Sequence, residues 1–85
     1  MAKVEIYTQW GCSYCVRAKA LLDAKSVSYT EYDTTMDSKK RTEMMARKPD
    51  ARTVPQIFVD DVGLGGSDDI HALDRAGKLD ALLAA

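Results

Sequence analysis

The two cysteines of the chain, Cys12 and Cys15, are separated by two residues in the segment 9–15, QWGCSYC. An apolar run, Val4–Tyr7, precedes this segment, and a run with helical spacing begins near Ser13. A thiol at the start of a helix faces unpaired backbone N–H groups and the positive end of the helix dipole, which favour its ionised form. Cys12 is therefore the candidate nucleophile. Cys15, one helical turn further on, is the candidate resolving thiol, which displaces a bound partner by forming a disulfide with Cys12.

Two other roles for this cysteine pair are weaker. A structural disulfide closing so short a loop would remove little entropy from the unfolded chain. Structural zinc requires four ligands, and the sole histidine, His71, is distant in sequence. His71 is interpreted as a surface or packed residue, because a helix end can activate a thiol without a base. The pair is therefore interpreted as redox-active.

Size and charge limit the classes of function. The chain has 85 residues, 46% of them apolar, which predicts a single domain, residues 1–85, with its own core. A net charge of -1 argues against a nucleic-acid partner. No apolar signal segment or membrane-spanning stretch is visible, so no membrane partner is expected. We expect a cytoplasmic protein, in a compartment that keeps thiols reduced.

The hydrophobic pattern predicts four strands and three helices. The strands are placed at Lys3–Thr8, Val27–Tyr32, Gln56–Asp60 and Val62–Leu64, and the helices run from Ser13 to about Lys25, from Asp37 or Ser38 to about Arg47, and from a cap at Ser67 to Gly77. The second strand is expected to run parallel to the first, as in right-handed β-α-β units. This order, with C-x-x-C after the first strand, predicts an α/β, thioredoxin-like fold with a four-stranded mixed β-sheet flanked by helices on both faces.

Several side chains are assigned to the core from the same pattern. Met44 and Met45 are the expected buried contacts of the second helix, and the terminal leucines, Leu79, Leu82 and Leu83, are expected to dock on the sheet. In the first helix the buried stripe includes Cys15, so that Cys12 stays at the mouth of the site.

Two further segments are candidates for ligand binding. Pro55, at the entry of the third strand, is either an ordinary strand-start proline or a cis proline that turns the preceding peptide toward a ligand. The segment Gly65–Asp69 places two glycines, a serine and two acids at the start of a helix. Asp68 and Asp69 complement the helix dipole there, whether or not they bind a ligand.

Together, Cys12–Cys15, Thr53–Pro55 and Gly65–Asp69 resemble the glutaredoxin family, especially its small bacterial dithiol members. The resemblance implies glutathione-dependent thiol–disulfide exchange in cell redox homeostasis, with disulfide-containing or glutathionylated proteins as partners. It also implies a monomer that uses glutathione as co-substrate and holds no tightly bound cofactor. A thioredoxin-like reductase served by a flavoprotein is disfavoured by Tyr14 within the motif and by the Gly65–Asp69 loop.

The resemblance also implies a glutathione site. Its residues are Gln9, Tyr14, Arg41, Thr53, Val54, Pro55, Gly66, Ser67 and Asp68. The Val54 backbone, held by Pro55, pairs with the cysteinyl part of glutathione, and the third helix's N-terminus binds the γ-glutamyl carboxylate. Asp68 pairs with the ammonium, with Asp69 as an additional contact. Tyr14 walls the thiol and Arg41 reaches the glycine carboxylate, although packing and solvation are the alternative roles of these two side chains.

Two positions depart from the family pattern. Gln9 stands where many relatives carry lysine, which predicts weaker glutathione affinity here. Ser13 replaces a proline of many dithiol members, and some C-S-Y-C members hold a [2Fe–2S] cluster between two subunits. The alternative function is therefore a cluster carrier, with Cys12 and glutathione as ligands in a dimer and Trp10 covering the site. Otherwise no metal site is expected.

Overall fold

The structure, a computed structural model, describes residues 2–84. It consists of β1 (Val4–Thr8), α1 (Ser13–Ala24), β2 (Thr30–Asp33), α2 (Ser38–Arg47), β3 (Gln56–Val59), β4 (Val62–Gly65), α3 (Ser67–Arg75) and α4 (Leu79–Ala84). The strand order is β2-β1-β3-β4, with β2 parallel to β1 and the other two neighbouring pairs antiparallel. The predicted mixed sheet is confirmed, and the terminal apolar turn forms the short helix α4. None of the helices within residues 2–84 is long and apolar enough to cross a bilayer.

The central strand β1 is buried on both faces, and all five of its residues are inaccessible. Ile6 packs with Leu22 of α1 in one core cluster, which also includes residues of α3 and α4. Tyr7 packs with Met44 of α2 in the other cluster. Helices therefore cover both faces of the sheet, as predicted.

The strand β2 begins three residues later than predicted, at Thr30 instead of Val27. The chain is still completing the turn after α1 at this point: Ser26 has φ 57, and the Val27 N–H donates to the Leu22 carbonyl. Because Ser26 is left-handed and the Val27 N–H is already bonded to α1, this part of the chain cannot pair with β1 as a strand. Val27 and Tyr29 nevertheless pack against the core.

Two predicted core contacts are wrong. Met45 is 47% exposed, whereas its neighbour Met44 is fully buried. Successive helical residues point about 100° apart, so α2 turns only one of the two methionines toward the sheet. Likewise Leu79 and Leu83, one turn apart in α4, are buried, while Leu82 is 37% exposed.

A network of polar side chains joins α2 to the buried face of β1. The Arg47 guanidinium donates to both carboxylate oxygens of Glu5, with Nη2–Oε1 at 2.8 Å and Nη1–Oε2 at 3.1 Å, and to the Tyr7 hydroxyl. Tyr7 donates in turn to Glu43, and Tyr32 donates to Glu5. The Arg47 hydrogen bonds hold the pKa of Glu5 below its ordinary value, whereas burial and the Glu43 bond raise the pKa of Tyr7 to about 12.

Replacing Arg47 by methionine is expected to lower the free energy of unfolding by about 3 kcal/mol, because Glu5, which is 3% exposed, would lose its hydrogen-bonded cation and keep only the Lys3 ammonium 3.9 Å away. Urea denaturation followed by circular dichroism at pH 7 measures this loss. The contribution of Glu5 is complete above the pKa of an unfolded glutamate and is lost as pH falls through its lowered folded pKa. The difference between variant and wild type should therefore shrink in acid.

The matched control is Arg75→Met, which removes an exposed arginine from the end of α3. It should leave stability within about 0.5 kcal/mol of wild type. A loss in Arg47→Met no larger than in this control would contradict the assigned role of the network.

Candidate active site

Cys12 occupies the N-cap position of α1, with extended backbone angles of φ -94 and ψ 108. Its Sγ accepts the backbone N–H of Cys15 at 3.1 Å. The preceding Gly11 has φ +76, a left-handed conformation that lets the chain turn from β1 into the helix without strain. The local sequence thus places the Cys12 sulfur at the N-terminus of α1, where it accepts a backbone N–H.

Cys15 lies on the buried side of the same helical turn and is only 2% exposed. Burial, reinforced by the hydrogen bond and charge of Cys12, raises the pKa of the Cys15 thiol to about 12, while the Gln9 backbone N–H and the Lys19 charge act in the opposite direction. Both thiols are free in this structure. The predicted division, Cys12 at the mouth and Cys15 inside, is confirmed.

A groove of about 390 Å³ runs beside the cysteine pair. Seven of the predicted glutathione-site residues line it: Tyr14, Thr53, Val54, Pro55, Gly66, Ser67 and Asp68. The Cys12 sulfur lies 3.8 Å from the Val54 carbonyl oxygen, to which its thiol donates. The Val54–Pro55 peptide is cis, as in the second interpretation of Pro55, and the part of that interpretation in which the peptide faces a ligand stays a prediction. Segments more than 40 residues apart in sequence therefore meet at one surface.

The N-terminus of α3 forms one end of this groove. Gly66 is the N-cap residue, and its N–H donates to Asp69 Oδ2 at 2.8 Å. The prediction that Ser67 caps the helix is wrong, because Ser67 is already its first helical residue. Gly65 has φ +106, and a Cβ there would lie within 2.2 Å of Asp69 Oδ2, so only glycine fits.

The side chains of Asp68, Asp69 and His71, all in α3, have different surroundings. Asp68 and Asp69 are both exposed and both line the groove, but Asp69 accepts the Gly66 N–H at the helix cap. His71 Nδ1 lies 2.7 Å from the Ser67 carbonyl oxygen and 3.4 Å from its hydroxyl. His71 is thus half-buried and bonded to its own helix, in agreement with the packed role expected for it.

Two predicted site residues do not line the groove. Gln9 lines a second cavity, of about 460 Å³, which includes both cysteines and shares no lining residue with the groove. Arg41 donates to the Arg52 carbonyl at 3.4 Å, next to Thr53 but outside the groove lining. Trp10, 83% exposed, also borders the second cavity.

Gln56 is a groove residue that the sequence reasoning missed. It is 6% exposed, and its Nε2 donates to the Thr53 carbonyl at 2.9 Å. Its Oε1 is the one buried side-chain oxygen or nitrogen without a hydrogen-bond partner in the described part of the chain. The available signal was a glutamine directly after Pro55 in an otherwise apolar strand, since a buried amide needs a partner. The Gln56–Thr53 hydrogen bond holds in place the segment that contains Val54.

Within residues 2–84 no group of three or more histidine, cysteine or acidic side chains is arranged to hold a metal ion. In the cluster-carrier alternative only Cys12 would come from this chain. The geometry described here adds no further ligand to that alternative.

Comparisons with known proteins agree with this geometry. Residues 4–64 match the family model described as Glutaredoxin. The chain is 53% identical to glutaredoxin 3 of Escherichia coli K12, covering 98% of this chain and 99% of that one, and 51% identical to a glutaredoxin of Pseudomonas aeruginosa over the full length of both. Among solved structures it is similar to a Brucella melitensis glutaredoxin, with 48% identity, a TM-score of 0.84, and 98% and 89% coverage. It is also similar to a buckwheat glutaredoxin–glutathione complex, with 26% identity, a TM-score of 0.87, and 98% and 77% coverage.

Proposed function

Because this chain belongs to the glutaredoxin family and is a glutathione-dependent thiol–disulfide oxidoreductase with a thioredoxin-like fold, we propose that Cys12 is its nucleophile and Cys15 its resolving thiol. The observation that carries the proposal is the position of the Cys12 sulfur. It caps α1, accepts the Cys15 N–H, and lies beside the Val54 carbonyl at the edge of the groove. This is where a disulfide bound in the groove would present its sulfur.

In the first reaction the substrate is a glutathionylated protein. The Cys12 thiolate attacks the glutathione sulfur, so that a Cys12–glutathione disulfide forms as the protein–glutathione bond breaks. The protein thiolate leaves with the electron pair and takes a proton from water. A second glutathione thiolate then attacks the bound glutathione sulfur, which yields oxidised glutathione and frees Cys12. This route does not use Cys15.

In the second reaction the substrate is a protein disulfide. Cys12 attacks one sulfur and forms a mixed disulfide with the protein. Cys15, held one helical turn away, then attacks the Cys12 sulfur and releases the reduced protein. Two glutathione molecules in succession reduce the resulting Cys12–Cys15 disulfide. The burial of Cys15 supports this order, because bulky disulfides in solution cannot reach it first.

Glutathione is proposed to lie along the groove. The Val54 backbone pairs with its cysteinyl part as an added strand pairs with a sheet edge. The free N–H groups at the N-terminus of α3 receive the γ-glutamyl carboxylate, and Asp68 pairs with the ammonium. Asp69 already accepts the Gly66 N–H, so Asp68 is the acid left for this role.

The proposal is tested with glutathione, glutathione reductase and NADPH as the only recycling system and hydroxyethyl disulfide as substrate. We expect saturable turnover. Asp68→Asn should raise the apparent KM for glutathione about tenfold with little change in kcat, because a charge-assisted hydrogen bond contributes about 1.5 to 3 kcal/mol.

The matched control is Asp80→Asn on α4, which removes the same charge from an exposed position; its partner Lys25 keeps Asp74. Its KM should equal that of wild type. Equal KM values in the two variants would argue against Asp68 as a ligand, and a lack of glutathione-supported turnover would argue against the function itself.

No observation here favours the cluster-carrying alternative, so the oxidoreductase is the only function proposed. The weaker glutathione affinity expected from Gln9, the contact of Arg41 with the glycine carboxylate, the monomeric state and the cytoplasmic location stay predictions from the sequence.

A further inference from the structure

The second cavity beside the cysteine pair holds one cationic side chain among the described residues, Lys19. The same cavity is lined by both thiols, Cys12 and Cys15. Two acids of β2, Glu31 and Asp33, complete its charged lining, and α3, which packs on α1, contributes none of it. The resolving thiol therefore borders the same cavity as the Lys19–Glu31 ion pair.

Lys19 is four residues after Cys15 in α1, so both side chains lie on one face of the helix. Helical side chains lean toward the N-terminus, which directs Lys19 back over the turn that carries Cys15. The Lys19 ammonium lies 3.2 and 3.3 Å from the two carboxylate oxygens of Glu31, and Glu31 accepts the buried Thr8 hydroxyl at 2.7 Å. These bonds anchor the ammonium at the cavity wall.

The resolving step needs Cys15 as a thiolate, but the buried position of Cys15 disfavours the thiolate. Burial raises the pKa of Cys15 to about 12, and the Lys19 charge and the Gln9 backbone N–H oppose that shift. The charge of Cys12 also raises the pKa of Cys15, but that charge is absent once Cys12 is in a mixed disulfide. Lys19 is then the remaining charged side chain that favours the attacking form.

We propose that Lys19 is a positioning residue for the resolving step, in which its ammonium, anchored by Glu31, stabilises the Cys15 thiolate as it attacks Cys12. This inference rests on the proposed role of Cys15 and adds the side chain that makes a buried thiol reactive. It assigns Lys19 no part in the attack of Cys12 on its substrates.

The atoms balance without an added reagent. Cys15 gives its proton to water in the cavity, and its sulfur attacks Cys12 Sγ. The Cys12–Cys15 bond forms as the bond from Cys12 to the substrate sulfur breaks. The substrate leaves as a thiolate with the electron pair and is protonated by solvent. Lys19 keeps its own proton throughout.

The test uses one equivalent of 2,2′-dipyridyl disulfide, an uncharged reagent that releases one chromophoric thiopyridone at each attack. The first release reports attack by Cys12, and its rate depends on the reagent concentration. The second release reports attack by Cys15, and its rate is independent of the reagent concentration because this step is intramolecular. Stopped-flow absorbance between pH 6 and pH 10 resolves the two phases.

In Lys19→Met the second release should slow about three- to tenfold at pH 7, which corresponds to a pKa increase of up to about one unit, and the first release should be unchanged. The slowing should be the same from pH 6 to pH 10, because the Cys15 thiol, whose pKa burial raises to about 12, starts the step protonated in both proteins over that range. Lys19→Arg, which keeps the charge, should restore most of the rate. Lys39→Met, an exposed lysine on α2, is the matched control and should match wild type.

A wild-type second phase in Lys19→Met at pH 7 would overturn the inference, and so would a second phase in Lys19→Arg as slow as in Lys19→Met, since that would indicate a role for the side chain's packing and not for its charge. Different results of the same experiment would contradict the proposed function. A second release that is missing in wild type, or that persists in Cys15→Ser, would contradict the assignment of Cys15 as the resolving thiol.

Discussion

Replacing Cys12 by serine is expected to abolish both reactions of this glutaredoxin, with rates at least about a thousandfold below wild type. A serine hydroxyl is not ionised at neutral pH and is a far weaker nucleophile toward disulfide sulfur than a thiolate. The fold should survive, because serine is a good N-cap residue and its oxygen can accept the N–H that the Cys12 sulfur now accepts. Loss of activity can thus be assigned to chemistry.

The measurement is turnover of hydroxyethyl disulfide and of a glutathionylated peptide, with glutathione, glutathione reductase and NADPH. Ser13→Ala, which changes the neighbouring exposed residue, is the control and should keep activity near wild type. Retention of more than about a tenth of wild-type activity by Cys12→Ser would mean that another group is the nucleophile.

Replacing Cys15 by serine is expected to separate the two routes. Removal of glutathione from a glutathionylated peptide should continue within about twofold of wild type, because that route needs only Cys12. Reduction of a protein disulfide should fall about a hundredfold, since the mixed disulfide with Cys12 can no longer be resolved from within. Mass spectrometry should show this mixed disulfide accumulating.

Cys15 is buried, so a second variant guards against a packing artefact. Cys15→Ala removes the sulfur without introducing a buried hydroxyl, and it should show the same separation of routes. Equal loss of both routes in both variants would contradict a resolving role, and so would full retention of protein disulfide reduction.

The sequence predicted the parts of the fold that depend on local patterns. Alternation and helical spacing identified all four strands and the helices α1, α2 and α3, and the parallel pairing of β1 with β2 followed from the connection between them. The glutathione site was predicted from the resemblance of three separate segments to one family. The structure brings 14, 53–55 and 66–68 together along one surface.

What the sequence could not predict are contacts between residues that share no local pattern. Glu5 and Arg47 are 42 positions apart, and nothing in the alternation of β1 distinguishes a buried, paired glutamate from a solvated one. Lys19 and Glu31, 12 positions apart, are likewise ordinary surface residue types until α1 packs against the sheet. The start of β2 and the cap of α3 were misplaced because single backbone conformations, at Ser26 and Gly66, decide them.

The N–H···S bond that caps α1 also bears on which oxidation state the protein prefers. A free sulfur at Cys12 accepts the Cys15 amide proton, whereas a sulfur shared with Cys15 in a disulfide is a poorer acceptor and has less freedom to face it. The bond thus lowers the free energy of the dithiol relative to the disulfide. Stabilising the dithiol raises the reduction potential, which favours electron transfer from glutathione to the oxidised protein. One backbone amide thereby helps to set the direction of electron flow.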